Sequence, residues 1–127
     1  MRLKNFSLPY GSQIFKSFSD EARIRILSLL HQNKELCISD LEHILGFTQT
    51  KTSRHVGYLK NAGLLSSRKS DQWIFYYLKD EAYDIVSQIF SYLNKDSVLI
   101  ADQETHDVLL SNRELAINRI PSQTWPQ

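Results

Sequence analysis

Apolar residues recur at helical spacing in "SFSDEARIRILSLLHQ", where Ile24, Leu27 and Leu30 share one stripe and Ser19 or Asp20 is placed to cap, so the pattern predicts a helix. "ISDLEHILGF" predicts a second helix of about two turns. Ser39 is its expected N-cap, with Glu42 three residues on completing a capping box, Leu41, Ile44 and Leu45 facing inward, and Gly46 closing the turn. A third helix, "TQTKTSRHVGYLKNAG", starts at a Thr48 cap and ends at Gly63, with Thr52, Val56 and Leu59 on its buried stripe. After Leu64 the period drops to two. "LLSSRK" and "QWIFYYLK" read as strands joined by a turn at Ser70 and Asp71, with Arg68 and Lys69 expected at the tip. Ile74, Tyr76 and Leu78 point one way and Trp73, Phe75 and Tyr77 the other, so the second strand should be covered on both faces. "DEAYDIVSQIFSYL" is a further amphipathic helix, residues 97 to 120 carry a weaker helical pattern, and "IPSQTWPQ" reads as a loose end.

Short helix, tight turn, polar helix and two-stranded hairpin add up to a mainly α chain with a two-stranded β wing, a winged helix-turn-helix with flanking dimerisation helices. A length of 127 residues suits one core with appendages. The expected division is residues 1–95 for the winged domain with its flanking helices and 96–127 for a C-terminal helical extension and tail. Hydrophobic content of 42% and charged content of 23% are ordinary for a globular chain. A single cysteine excludes an internal disulfide, and "MRLKNFSLPYGSQIFKSF" lacks the apolar core of a signal peptide. No stretch approaches the roughly 20 apolar residues of a membrane span. A cytoplasmic, reduced location and no membrane partner are the expectation.

Formal net charge is +1 and says little until its distribution is read. Between Thr48 and Ser70 there is no Asp or Glu, while Lys51, Arg54, Lys60, Arg68 and Lys69 fall inside that window. Such a segment makes a local positive surface suited to a phosphate backbone, the bland alternative being a solvated helix face. Thr48, Gln49, Thr50, Lys51, Ser53 and Arg54 lie near the start of the third helix and largely on its outward faces, where small polar and basic side chains suit base edges and phosphates. Gln49 and Arg54 are expected to read base edges, Lys51, Arg68 and Lys69 to hold phosphate, and His55 to orient the helix or touch phosphate. Double-stranded DNA is therefore the expected partner. Ile14, Phe15, Phe18, Ile85, Val86, Ile89 and Phe90 exceed what a small winged domain can cover. Phe15, Phe18, Ile85, Ile89 and Phe90 are accordingly expected in a homodimer interface. The wider aromatic set with Phe6, Tyr10, Tyr83 and Tyr92 has a small-molecule pocket as its alternative use. His31 and His43 read as ordinary surface or boundary residues.

"FSDEARIRILSLL", "ELCISDLEHILGFTQTKTSRHVGYLKNAGLL" and "RKSDQWIFYYL" together resemble the arsenic-repressor (ArsR/SmtB) family of bacterial regulators. The family pattern S-Q-P-T-V-S-x-H-L-x-x-L-x-x-A-G-L falls without a gap on Thr48 to Leu64. The resemblance implies a homodimeric repressor that binds a palindromic operator and, in many members, is released by an effector. This chain departs from the pattern at Glu21, where proline is usual, and at Ser70 and Asp71, where the wing usually has glycine.

Arsenic-sensing members read E-L-C-V-C-D-L-C where this chain has "ELCISDLE", so Cys37 remains while Ser39 and Glu42 replace the other two thiols. Soft ions want two or three thiolates, and a hydroxyl is a far weaker ligand. Cys37 is therefore expected to pack rather than bind, with a thiol or redox sensor as the alternative. Other members bind zinc through Asp, His and Glu on C-terminal helices. Here only Asp102 and His106 stand at helical spacing, two ligands where zinc wants four. No metal site and no cofactor are expected. Nor is there a nucleophile–base motif, a glycine-rich phosphate loop or a metal triad to suggest an enzyme, so no catalytic residue is assigned. A winged helix used only for protein contacts is the remaining rival, which the acid-free basic segment disfavours.

Overall fold

The computed structural model describes residues 5–120. In chain order the elements are α1 (Leu8–Ser17), α2 (Glu21–Gln32), β1 (Leu36–Cys37), α3 (Ile38–Leu45), α4 (Gln49–Asn61), β2 (Leu65–Ser70), β3 (Trp73–Leu78), α5 (Asp80–Leu93) and α6 (Ser97–Ser111). A short 3-10 turn, Ala116–Arg119, follows. Among the described residues no helix is long and apolar enough to cross a membrane.

Helix α2 runs through the middle of the core. Its Ile26, Leu27 and Leu29 are fully buried, and they meet Leu41 and Ile44 of α3, Val56 and Leu59 of α4, Leu65 and Leu78 of the strands, and Ala82 and Val86 of α5. Asp20 caps α2 by accepting the Arg23 amide at 3.2 Å, which places the cap at the second of the two expected residues. Helix α1 is pinned by buried Ile14 and by the Tyr10 hydroxyl, which donates to the Gly63 carbonyl at 2.8 Å. Arg23 closes the α1–α2 corner by donating to the carbonyls of Lys16 and Ser17.

The start of α3 differs from expectation. Cys37, not Ser39, holds the N-cap position and makes no side-chain capping bond, because β1 runs directly into the helix at Ile38 and leaves Ser39 inside its first turn. Gly46 ends α3 at φ +70°, a left-handed conformation that glycine adopts without a Cβ penalty, and two residues later Thr48 caps α4 by accepting the Lys51 amide at 3.2 Å. This is the tight turn of a helix-turn-helix.

The wing is also larger than two strands. β1 pairs antiparallel with β3, so the sheet has three strands in the order β1-β3-β2. Two residues carry too little pattern to register as a strand in sequence. The hairpin turn falls on Asp71 and Gln72, since Ser70 still pairs with Trp73, and Asp71 takes a positive φ of 54°. β3 is central and covered on both faces except at exposed Ile74. Tyr76 and Leu78 face the main core, while Phe75 joins Cys37, Ala116 and Ile120 in a small second cluster.

The C-terminal pattern resolves into two pieces rather than one helix through residue 120. α6 ends at Ser111, Arg113 turns back at φ 60°, and the 3-10 turn lies against β1. Leu99 and Leu115 enter the main core, and Ile120, the first residue of the expected loose end, is buried; residues 121–127 of that expectation lie outside the described residues.

Gly63 tests this packing. At φ +89° it is left-handed, and a Cβ there would sit 2.9 Å from Tyr10 Cε1. Gly63→Ala should cost roughly 1 to 3 kcal/mol in urea unfolding. Gly57→Ala, mid-helix with nothing within 4 Å of the added carbon, should instead gain about 0.5 to 1 kcal/mol.

Candidate nucleic-acid interface

Helix α4 is two-faced. Thr52, Val56 and Leu59 are buried, and the Thr52 hydroxyl donates to the Thr48 carbonyl at 2.8 Å, so the polar member of the stripe is satisfied without a partner outside its own helix. Thr48, Gln49, Thr50 and Arg54 are exposed, with Lys51 and Ser53 half-buried beside them. No acidic residue stands in the first turn, and the helix N-terminus adds its own positive field. Lys51 is restrained. Its Nζ lies 4.1 Å from the centroid of the Phe47 ring in the turn before α4.

His55 is buried, unlike the exposed Gln49, Thr50 and Arg54 of the same helix. Burial holds its pKa below the ordinary imidazole value, opposed by the Asp20 carboxylate and aided by Arg54, Arg23 and Lys51.

The wing separates Arg68 from Lys69. Register puts Arg68 opposite Phe75, short of the turn, and its guanidinium donates to the Glu35 carboxylate from Nε at 2.8 and 3.0 Å. Arg68 is thus not at the tip, and its charge is neutralised by a carboxylate that is itself buried. Lys69, opposite Ile74, is exposed. Lys60 Nζ donates to Ser67 Oγ at 3.0 Å and ties the end of α4 to β2.

The expected dimer residues divide as well. Phe15 is 73% exposed, Phe18 is half-buried, and Ile85 and Ile89 are partly buried. Phe90 is 5% exposed, with its ring 5.5 Å from His31 and 5.7 Å from Phe18, because it fills the space where α1, α2 and α5 meet; it belongs to the core and not to a contact surface. Ile14 and Val86 are buried for the same reason. Leu8, at 87% exposure, is apolar surface that the sequence reading did not select, and Tyr92 of the wider aromatic set is 90% exposed. His31, donor or acceptor to Ser87 Oγ at 3.1 Å, is half-buried, and burial lowers its pKa.

Cys37 packs against Phe75, Ala116 and Ile120, and its sulfur lies 3.2 Å from Ser39 Oγ. Burial is the largest influence on its thiol and raises the pKa, the reverse of the lowered value a helix-start redox sensor needs. Asp40 beside it is buried too, with its pKa raised by burial. Asp40 Oδ1 accepts the Ala116 amide at 2.7 Å and pins the C-terminal turn over the thiol. One enclosed thiol with a hydroxyl neighbour does not fit a soft ion. The Asp102–His106 pair is likewise committed elsewhere: Asp102 takes both Nε and Nη2 of Arg25 at 2.9 Å, and His106 Nδ1 contacts Asp107 at 3.0 Å. Among the described residues no group of three or more His, Cys, Asp or Glu could hold a metal ion.

Residues 20–67 match the family described as bacterial regulatory protein, arsR family. The chain is 37% identical over 90 residues to arsenic resistance transcriptional regulator ArsR2 of Pseudomonas putida, covering 70% of this chain and 78% of that one. It belongs to the arsR family. The match to ArsR1 of the same organism is 40% identical over 68 residues and spans about half of each, 54% of this chain and 53% of ArsR1. Among solved structures, HlyU from Vibrio cholerae superposes with a TM-score of 0.60 at 28% identity, covering 65% of this chain and 90% of that one. Both α4 and the α3–α4 turn lie inside the arsR-family segment, whereas β3, α5 and α6 lie beyond it.

Glu35, Phe47 and Arg25 are the interface neighbours that sequence reading missed. Phe47 had a signal, an apolar residue just after a helix-ending glycine, where a Schellman turn places its hydrophobic contact. Glu35 and Arg25 had none. If Cys37 is enclosed as described, a thiol reagent should label the native protein no faster than the protein opens, and labelling should become rapid in denaturant. Fast labelling of native protein would contradict the enclosure.

Proposed function

We propose that this chain is a sequence-specific DNA-binding regulator, a homodimeric repressor working without the multi-thiol metal site of arsenic sensors. The observation that carries the reading is the outward half of α4: exposed Gln49, Thr50 and Arg54 with restrained Lys51, no acid in the first turn, and a buried face that anchors it. Such a helix, with its polar face turned away from the core, suits the major groove, and Lys69 near the hairpin end suits the backbone. Arg68 acts differently from the first expectation: paired with Glu35, it stiffens the wing base instead of contacting phosphate. The chain holds one cysteine, so each protomer offers a soft ion one thiolate, and no metal is proposed as the inducer. A palindromic operator follows from a two-fold dimer, with half-sites about 34 Å apart. The reading places the protein in the cytoplasm with the DNA.

Gln49 and Arg54 are proposed to read bases, and Lys51 and Lys69 to hold phosphate. Arg54→Ala should relax sequence preference at a cost of about 1 to 3 kcal/mol, whereas Lys69→Ala should weaken all sequences alike and reduce the salt slope by about one. Anisotropy titrations on selected operator and random duplexes separate the two, and equal losses on both for Arg54→Ala would overturn the assignment.

The dimer face is redrawn around Leu8 and Phe15 of α1 with Ile85, Ile89 and Tyr92 of α5; Phe18 against Phe90 brings the two helices together. Exposed Leu8, Phe15 and Tyr92 beside half-buried Ile85 and Ile89 make an apolar face of the kind that a second copy would cover. Phe15→Glu should convert a dimer at micromolar concentration to a folded monomer by light scattering. Wild type running as a monomer would refute the dimer.

A further inference from the structure

Helix α6 lies outside the arsR-family segment, yet two polar clamps lock it to α2. One is the two-bonded Arg25–Asp102 pair, both distances 2.9 Å, with Asp102 buried. In the other, Asn33 and Gln103 exchange amide hydrogen bonds of 2.8 and 3.0 Å. Two parallel bonds fix the guanidinium in orientation as well as place. That guanidinium carbon stands 5.2 Å from the centroid of the Phe47 ring. The same ring holds Lys51 Nζ at 4.1 Å. One aromatic ring in the α3–α4 turn therefore carries both the cation that α6 holds and a cation at the first turn of α4.

From this geometry we propose that α6 sets the position of the Lys51 ammonium through Arg25 and Phe47, so that the C-terminal helix tunes DNA affinity without touching DNA. The inference rests on the DNA-binding reading above. Its physical basis is charge balance on one ring. Each cation is attracted to the ring face, but the two repel each other, and Asp102 cancels most of that repulsion by neutralising Arg25. With Asp102 in place, Lys51 stays on the ring and loses less side-chain freedom when it meets a phosphate. Without it, the guanidinium keeps only the longer-range pull of Glu21, and its charge on the shared ring displaces the ammonium. Asp102, Arg25 and Phe47 are positioning residues in this scheme.

The test is a double-mutant cycle on the full chain with a 30-base-pair mixed-sequence duplex at low salt, read by anisotropy, with thermal melts to verify folding. Asp102→Asn keeps the shape and removes the charge, and should weaken binding about threefold to tenfold. In a Lys51→Ala background the same change should have almost no effect. Phe47→Leu, which keeps an apolar side chain in the turn, should behave in the same way and stands in if Asp102→Asn melts early. A merely structural role for either residue would lower affinity equally in both backgrounds. Multiplicative losses with intact wild-type binding would overturn the relay and leave the DNA reading standing. Wild type that fails to bind duplex even at low salt would overturn the DNA reading and the relay with it.

Discussion

A helix that must hold a polar face steady in solvent can be anchored only through its opposite face, and α4 does this with three side chains. Thr52, Val56 and Leu59 are buried against α2 and the strands, spaced so that Thr50 and Arg54 point away, while Gln49 is exposed because it is the first residue of the helix. Thr52 bonds back to its own helix, so the anchor leaves no unsatisfied polar group.

The wing follows from the same anchor. Leu65 leaves α4's end already buried, and Lys60 to Ser67 ties the helix to the strand, so β2 has little freedom in where it starts. β1 then turns a hairpin into a sheet, and Glu35, one residue before it, is brought to Arg68. Removing Arg68 would leave the buried Glu35 carboxylate uncompensated, so the pair holds the strand and the approach to β1 together. A positive residue in a basic segment is thus structural, while its neighbour Lys69 stays free of the core.

The C-terminal segment completes the body of the molecule. Asp40 holds the Ala116 amide, Leu115 fills the main core, and Ile120 covers the second cluster around Cys37 and Phe75. A buried carboxyl with a raised pKa favours folding while it is protonated, so this group's contribution is present at acid pH and lost as pH rises through its folded value. Cys37 is sealed by the same residues.

Sequence alone determined the things that local spacing encodes. Ile24, Leu27 and Leu30 marked α2, Thr48 and Gly63 bounded α4, and the change of period after Leu64 marked the hairpin, because helix and strand faces repeat at 3.6 and 2 residues whatever surrounds them. The acid-free run from Thr48 to Ser70 needed no fold to be read. Tertiary structure alone decided which charges are spent. Arg68 meets Glu35 across 33 residues and Arg25 meets Asp102 across 77, and no local pattern states that two such groups will be neighbours. The same holds for burial: Phe15 and Phe90 are equally apolar in sequence, yet one stands in solvent and the other fills a three-helix junction, since exposure is a property of what packs opposite and not of the residue.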